Sequence, residues 1–161
     1  MWVIRAGQDA LYYKKYIEAK RVYIPWDGYH LDLSGIRTRE AYRFLVEREK
    51  QADSRTSVSN WAGQLFSFVE EMKVGDFVLI PTKGSHTYAL GKITSDYEYQ
   101  DDESDCLYHS RNIEILDEDI PRSIFSQSII YSLGAFRTLF KAKSESDILS
   151  TIDKWKKEAS K

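Results

Sequence analysis

The side chains best suited to chemistry by type and spacing lie on the polar face of one amphipathic segment, residues 57–81 (SVSNWAGQLFSFVEEMKVGDFVLIP). Asn60, Gln64, Ser67 and Glu71 recur there at helical intervals, so two amides lie one turn apart near the start of the predicted helix. A side-chain amide donates and accepts hydrogen bonds at once, which suits it to the edge of a nucleobase. The alternative interpretation is the ordinary solvated face of a helix that packs against a core.

Two patterns resemble catalytic motifs, and each has a stronger structural interpretation. Asp9 followed by Glu18-Ala19-Lys20 matches the spacing of a metal-dependent nuclease, but these residues fall at the end of a predicted helix and not on a central strand. Cys106 and His109 lie in an acidic segment, where neighbouring carboxylates disfavour a thiolate nucleophile. The histidines lack metal-ligand spacing, and no glycine-rich phosphate loop of a standard kind occurs. The sequence therefore predicts a protein that is not an enzyme and binds no cofactor or metal.

Charge is distributed unevenly along the 161 residues. The net charge is −2, yet ten acidic residues and one basic residue lie between Asp96 and Asp119, while the rest of the chain carries 22 basic and 15 acidic residues. This distribution permits a local phosphate-binding face outside the acidic segment but does not require one. The aromatic residues (11 Tyr, 7 Phe and 4 Trp) could build stacking surfaces as well as a core.

Hydrophobic periodicity predicts about six strands interleaved with helices. Strands are expected at residues 2–6, 21–26, 77–80, 86–93, 108–116 and 138–142, and the main helices at 9–20, 38–50, 57–72 and from 144 onwards. Asp9, Thr38 and a Ser144–Asp147 capping box are the expected helix starts, and Thr56 or Ser57 is expected to open the central helix. Gly91 indicates either a bulge or a close backbone approach within its strand. The predicted fold class is α+β, a small, partly open β-barrel flanked by helices.

The single cysteine excludes an internal disulfide framework, and no apolar stretch reaches the length of a signal peptide or a membrane span. A cytoplasmic protein without membrane partners is therefore expected.

Six short motifs in a fixed order resemble the PUA-like superfamily, which includes EVE and YTH modules. They are WVIRAG, IPW, DLS, NWAGQL with the following KVGD, YALGKITSDYEY and SLGAF. The resemblance covers about residues 1–142 and is closest to the N-terminal recognition domains of Mrr-like, modification-dependent restriction proteins. It implies a PUA-like or EVE-like base-recognition domain over residues 1–143, followed by an amphipathic helix or linker at 144–161.

The superfamily implies a small barrel that holds one flipped, modified base in an aromatic cage. We therefore expect a non-catalytic specificity domain of a restriction or defence system that binds DNA carrying a methylated or hydroxymethylated base. Relatives of the restriction type also carry a nuclease or GTPase, here expected as a separate subunit or a fused domain. Two alternatives remain open: an RNA-binding module of the YTH or PUA-like kind, and a protein-interaction or inhibitor subunit that docks through its acidic segment and basic final helix.

The resemblance also assigns roles to individual residues. The expected base-binding residues are Trp26, Asp32, Asn60, Gln64, Arg5 and Gly7. The expected phosphate-binding residues are Arg37, Arg39, Arg55 and Lys83. Each has a structural alternative: packing on the barrel for Trp26, turn capping for Asp32 and simple solvation for the basic side chains. If DNA binds, the acidic segment must face away from it.

Overall fold

A curled, open sheet of seven strands organises the computed structural model, which describes residues 1–26, 29–49, 55–100 and 107–161. The strands are β1 (Trp2–Ile4), β2 (Arg21–Ile24), β3 (Phe77–Pro81), β4 (Thr87–Ile93), β5 (Glu98–Tyr99), β6 (His109–Pro121) and β7 (Leu139–Lys141). Six of them follow the order β2-β6-β4-β3-β1-β7, and the short β5 pairs with β6. Among these pairs, β1 and β3 are parallel and the others antiparallel. The predicted α+β class with a partly open sheet is confirmed.

Helices cover both faces of this sheet. They are α1 (Tyr13–Ala19), α2 (Arg39–Glu49), α3 (Arg55–Phe66), α4 (Gln127–Leu133) and α5 (Glu145–Ala159). Helix α3 continues without a break into one turn of π-helix, Ser67–Glu71. The amphipathic helix expected within residues 144–161 is present as α5.

The side chains of β1 alternate between two hydrophobic clusters, as a pleated strand requires. Trp2 and Ile4 belong to a larger cluster that includes buried residues of α1, α2 and α3. Met1 and Val3 belong to a second cluster with α4 and α5, in which Ile148 and Ile152 of α5 are buried. The sheet is therefore buried between two layers of helices, and its strand ends remain available at the surface.

Local signals predicted some element boundaries and missed others. The Oγ1 atom of Thr38 accepts a hydrogen bond from Ala41 N (3.1 Å), and the pairing of β4 with β6 shifts register between Leu90 and Gly91. The predicted cap and bulge are thus confirmed. The predicted cap at Asp9 is wrong, because that residue lies inside a short 3-10 helix with a left-handed backbone (φ 55°). Ser144 is the N-cap residue of α5, as predicted, but its backbone is left-handed (φ 63°) and its side chain makes no capping hydrogen bond, so the predicted capping box does not form.

A buried arginine joins β6 to the end of the central helix. Arg111 is 2% exposed, and its guanidinium donates to the carbonyl oxygens of Phe68 (2.8 Å) and Val69 (2.9 Å) in the π-helical turn. A third bond reaches the carbonyl of Ser95 (3.2 Å). Carbonyls at a helix end lack partners within the helix, and the helix dipole favours a cation there. Burial lowers the pKa of Arg111, but an arginine in a protein keeps its charge.

Replacing this arginine with an uncharged side chain of similar length should destabilise the fold. We expect Arg111→Met to lower the free energy of unfolding by about 3 kcal/mol or more, because three carbonyls lose a charged donor and each buried, unsatisfied group costs about 1–3 kcal/mol. Urea denaturation measures the change. Arg43→Met on the exposed face of α2 is the matched control and should shift stability by no more than about 0.5 kcal/mol. Equal stabilities for the two variants would contradict this role of Arg111.

Candidate functional site

A cavity of about 600 Å³ opens at the ends of strands β1 and β2, and we call it the strand-end cavity. Its walls come from four segments: residues 5–10 after β1, Pro25 and Trp26 after β2, the β3–β4 hairpin, and residues 136–138 before β7. This volume lies within the range of about 300–1,000 Å³ that is typical of small-ligand sites. The sheet thus places four separate turns around one concave site.

Trp26 forms an aromatic part of the cavity wall and is held there from two sides. Its indole Nε1 donates to Oγ1 of Thr138 (3.1 Å), a residue of the cavity wall that lies just before β7. Its ring centroid lies 4.5 Å from that of Trp61 on α3, with the planes tilted by 40°. Only 9% of Trp26 is exposed, so its position is fixed by packing before any ligand arrives.

Arg5 brings a positive charge to the same cavity and fastens one of its walls. Its guanidinium donates to the carbonyl of Ala135 through Nη2 (2.9 Å) and Nε (3.3 Å), and its backbone N–H donates to the carbonyl of Thr138 (2.7 Å). These three bonds hold the segment before β7 against the residues that follow β1. This wall of the cavity therefore keeps a fixed position relative to the sheet.

The cavity rim is rich in left-handed backbone. Gly7 has φ 82°, and a Cβ atom added there would lie 2.8 Å from Cδ2 of Tyr12, so the position requires glycine. Four further rim residues have positive φ angles, namely Asp9, Ala10, Gly84 and Ser85. Non-glycine residues in this conformation cost about 1–3 kcal/mol each, and such residues cluster at ligand-binding sites. The backbone geometry therefore supports a binding role for this end of the sheet.

A second concave surface of about 920 Å³, the α3–β7 groove, lies beside the cavity and is lined by parts of α3, α4, β7 and the residues after β7. Arg137 lines both sites and marks their boundary. The charged lining residues are mostly basic: Arg39, Arg137, Lys141 and Lys143, against the single acid Glu71. Arg39 pairs with Glu71 across 3.3 Å.

The structure divides the expected base-binding residues between these two sites. Arg5, Gly7 and Trp26 line the strand-end cavity together, and their base-binding role stays a prediction. Asn60 and Gln64 line the α3–β7 groove instead. Gln64 is 7% exposed, and its Oε1 accepts from the backbone N–H of Leu139 (3.0 Å). The Oε1 atom of that amide is therefore committed to holding the edge of β7, and Gln64 does not line the strand-end cavity.

Asp32 lies apart from both sites. Its side chain is exposed, and its Oδ1 accepts from the backbone N–H of Ser34 (2.9 Å), which closes a turn. It is absent from the described lining of the cavity and of the groove. The turn-capping interpretation accounts for this residue.

The four expected phosphate-binding residues are also dispersed. Arg39 lines the groove, and Lys83 is exposed in the hairpin between two residues that line the cavity. Arg37 is exposed beside a third, separate cavity. Arg55 begins α3, but its side chain lies outside the described part of the structure.

Sequence reasoning missed the segment Phe136–Thr138, which completes the cavity. Phe136 is fully exposed (102%) on the rim, Arg137 is exposed beside it, and Thr138 bonds to Trp26. The SLGAF motif ends at Phe136, and the next residues look only like the start of a strand. A usable signal was present: an aromatic–arginine pair in a turn, followed by lysines at alternate positions.

The acidic segment does not contribute to either site in the part of the chain that is described. Glu98 pairs with Arg21 (3.7 Å), and Asp117 pairs with Lys156 of α5 (3.2 Å). Residues 101–106, with four of the ten acids and Cys106, lie outside the described ranges. None of the described acids of this segment lines the strand-end cavity or the α3–β7 groove, and the expectation that the segment faces away from DNA stays a prediction.

No alternative chemistry is visible among the described residues. Glu18, from the nuclease-like pattern, lies on the exposed side of α1 and pairs with Lys14 (3.8 Å). The described His, Cys, Asp and Glu side chains form no group of three that could hold a metal ion. None of the described helices has the length and apolar content needed to cross a bilayer. That the protein is not an enzyme stays a prediction.

A buried histidine fixes the loop that follows β2. The side-chain Nε2 of His109 lies 2.6 Å from the carbonyl of Tyr29, and Nδ1 lies 2.6 Å from the hydroxyl of Tyr97. A carbonyl only accepts, so Nε2 carries the proton and Nδ1 accepts from the tyrosine. Burial lowers the pKa of His109 to about 4, against the opposing effect of its bond to Tyr29. The imidazole is therefore neutral at pH 7.

Residues 2–134 match a family described as "Domain of unknown function (DUF8426)". The chain belongs to this family. No curated protein and no solved structure matches the chain. The DUF8426 match includes the cavity walls that follow β1, β2 and β3, whereas residues 136–138, β7 and α5 come after it.

The stability of this DUF8426 protein should depend on pH through His109. The unfolded chain protonates this histidine near pH 6.5 and the folded chain only near pH 4, so in between the unfolded state binds more protons and stability falls as the pH drops. We expect His109 to remove about 2 kcal/mol of unfolding free energy between pH 7 and pH 5. Urea denaturation at pH 7 and pH 5 measures the loss of stability in the parent protein and in His109→Gln. The difference between the two losses is the contribution of His109. An equal loss in the variant would exclude His109 as its source.

Proposed function

We propose that this protein is a non-catalytic module that binds one flipped, modified base in DNA, with the base entering the strand-end cavity. The observation that carries the proposal is the composition of that cavity: the preorganised Trp26 in its wall, the fully exposed Phe136 on its rim and the guanidinium of Arg5 beside them. An aromatic wall, an aromatic rim and a cation are suited to a planar, polar ligand attached to a phosphate chain.

The energetics of base capture are compatible with these groups. Taking a base out of the stack costs about a few kcal/mol, and stacking on an aromatic side chain returns about 1–3 kcal/mol. Hydrophobic recognition of one methyl group adds only about 1–3 kcal/mol, so polar contacts to the base edge must supply the rest. Gln8 and Asp9, exposed at the cavity, offer an amide that donates and accepts and a carboxylate that accepts from an exocyclic amine.

The ordered motifs support the same proposal from the sequence. They resemble EVE-like modules of the PUA-like superfamily, and the WVIRAG and IPW motifs supply Arg5, Gly7 and Trp26 of the cavity. In the restriction proteins of that superfamily, a nuclease or GTPase accompanies the recognition module. We propose that this protein likewise supplies the recognition, and a nuclease or GTPase the catalytic activity, of a restriction or defence system.

The proposal is tested directly with labelled duplexes that differ in one base. We expect tighter binding, by about tenfold or more, to one of three duplexes carrying 5-methylcytosine, 5-hydroxymethylcytosine or N6-methyladenine than to the plain duplex. Fluorescence anisotropy gives the four dissociation constants, and competition with RNA of matched sequence separates DNA from RNA readers. Equal affinity for all four duplexes would overturn the proposal, and preferential displacement by RNA would favour the RNA-binding alternative.

Phe136 should contribute to binding and not to stability. We expect Phe136→Ala to weaken binding of the preferred modified duplex about tenfold, because one stacking face is lost, while the melting temperature stays unchanged because the side chain is fully exposed. Phe44→Ala on α2 is the matched control: that ring is 71% exposed and lines neither site. If both variants bind like the parent protein, Phe136 takes no part in holding the base.

A further inference from the structure

The α3–β7 groove contains basic side chains that are free to act on a ligand. Arg137, Lys141 and Lys143 are exposed, and none of the three forms an ion pair with a carboxylate in the described ranges. Lys141 lies over the ring of Trp2 at 5.6 Å, which steadies its ammonium group at the groove wall. In a chain with a net charge of −2, this groove is a local concentration of positive charge.

Three cations line the groove along strand β7 and just outside its two ends. Lys141 is the last residue of β7, Arg137 precedes the strand by two residues, and Lys143 follows it by two. Alternate residues of an extended strand point to the same side, which places Lys141 on the groove wall with Leu139, an uncharged residue that is 2% exposed. Arg137, Lys141 and Lys143 therefore form a row of positive charge on one wall of the groove, which suits the polyanionic backbone of a nucleic acid.

The row is also continuous with the cavity. Arg137 lines both sites, and Phe136 stands on the cavity rim immediately before it in the chain. The other groove wall adds neutral polar groups from α3, including Ser59 and Asn60. A strand with one base in the cavity would thus have its neighbouring phosphates beside Arg137 and further ones beside the two lysines.

We propose that the α3–β7 groove binds the sugar-phosphate backbone of the strand whose base enters the strand-end cavity, with Arg137, Lys141 and Lys143 as the phosphate contacts. This inference rests on the proposed function for the identity of the strand. It assigns the backbone to the side of the domain formed by α3, α4 and β7. The three cations that it names differ from the four expected from the sequence, of which only Arg39 lines this groove.

Salt dependence of binding tests the groove. Each phosphate contact adds about one unit to the slope of log affinity against log salt concentration. The probes are a duplex with a single 5-methylcytosine and the plain duplex of identical sequence, each titrated by anisotropy at several salt concentrations. We expect the double variant Lys141→Gln/Lys143→Gln to reduce the slope by about two on both duplexes while leaving the ratio of their affinities unchanged.

The control is Lys154→Gln/Lys161→Gln, which removes the same charge at exposed positions that line neither site, and its slope should equal that of the parent. A parental slope in the groove variant would overturn the inference even if modified DNA is preferred. A reduced slope together with equal affinity for the plain duplex and all three modified duplexes would support the groove and reject the proposed function. Binding of poly-glutamate but not of either duplex would assign the groove to an acidic protein and overturn the inference.

Discussion

An open sheet leaves two edges unpaired, and one helix stabilises both edges of this sheet. Trp61 of α3 packs on Trp26 after β2, and Gln64, one turn later, accepts the free N–H of Leu139 in β7. Arg111 fixes the far end of the same helical segment by satisfying its last carbonyls. Unpaired strand edges promote aggregation unless they are covered. Helix α3 joins the two edges through these two contacts and does not close the barrel, and the strand-end cavity opens at the ends of the strands.

Features set by neighbouring residues could be predicted from the sequence. Alternation of apolar residues identified β3 and β4, and local hydrogen-bonding chemistry identified the Thr38 cap. The cap predicted at Asp9 and the side-chain capping bond predicted at Ser144 fail in the same way, since each residue adopts a left-handed backbone. Such a conformation depends on tertiary packing, and the residue type alone favours the cap.

In the candidate site, likewise, the residues that could be predicted are those placed by a neighbouring strand. Trp26, Arg5 and Gly7 come directly after strands that were recognisable, and the structure brings them together. Gln64 looked available because its partner, the N–H of Leu139, lies 75 residues later in the chain. Phe136 was hidden for another reason: it lies in a turn, where no periodicity distinguishes a wall of a cavity from a solvated connection.

Mutation usually changes the ligand preference and the stability of a protein together. The placement of the cavity walls in this molecule separates the two. The rim is formed by turns that project beyond the strands, and the two hydrophobic clusters lie further inside, on either face of the sheet. The turns after β1 and before β7 are joined by the bonds of Arg5 to the carbonyls of Ala135 and Thr138, whereas exposed rim side chains such as Phe136 take no part in these bonds. Apart from Gly7 and the residues that make these bonds, the rim is therefore a natural place for diversification, in evolution or in a designed library, on a scaffold whose stability stays nearly constant.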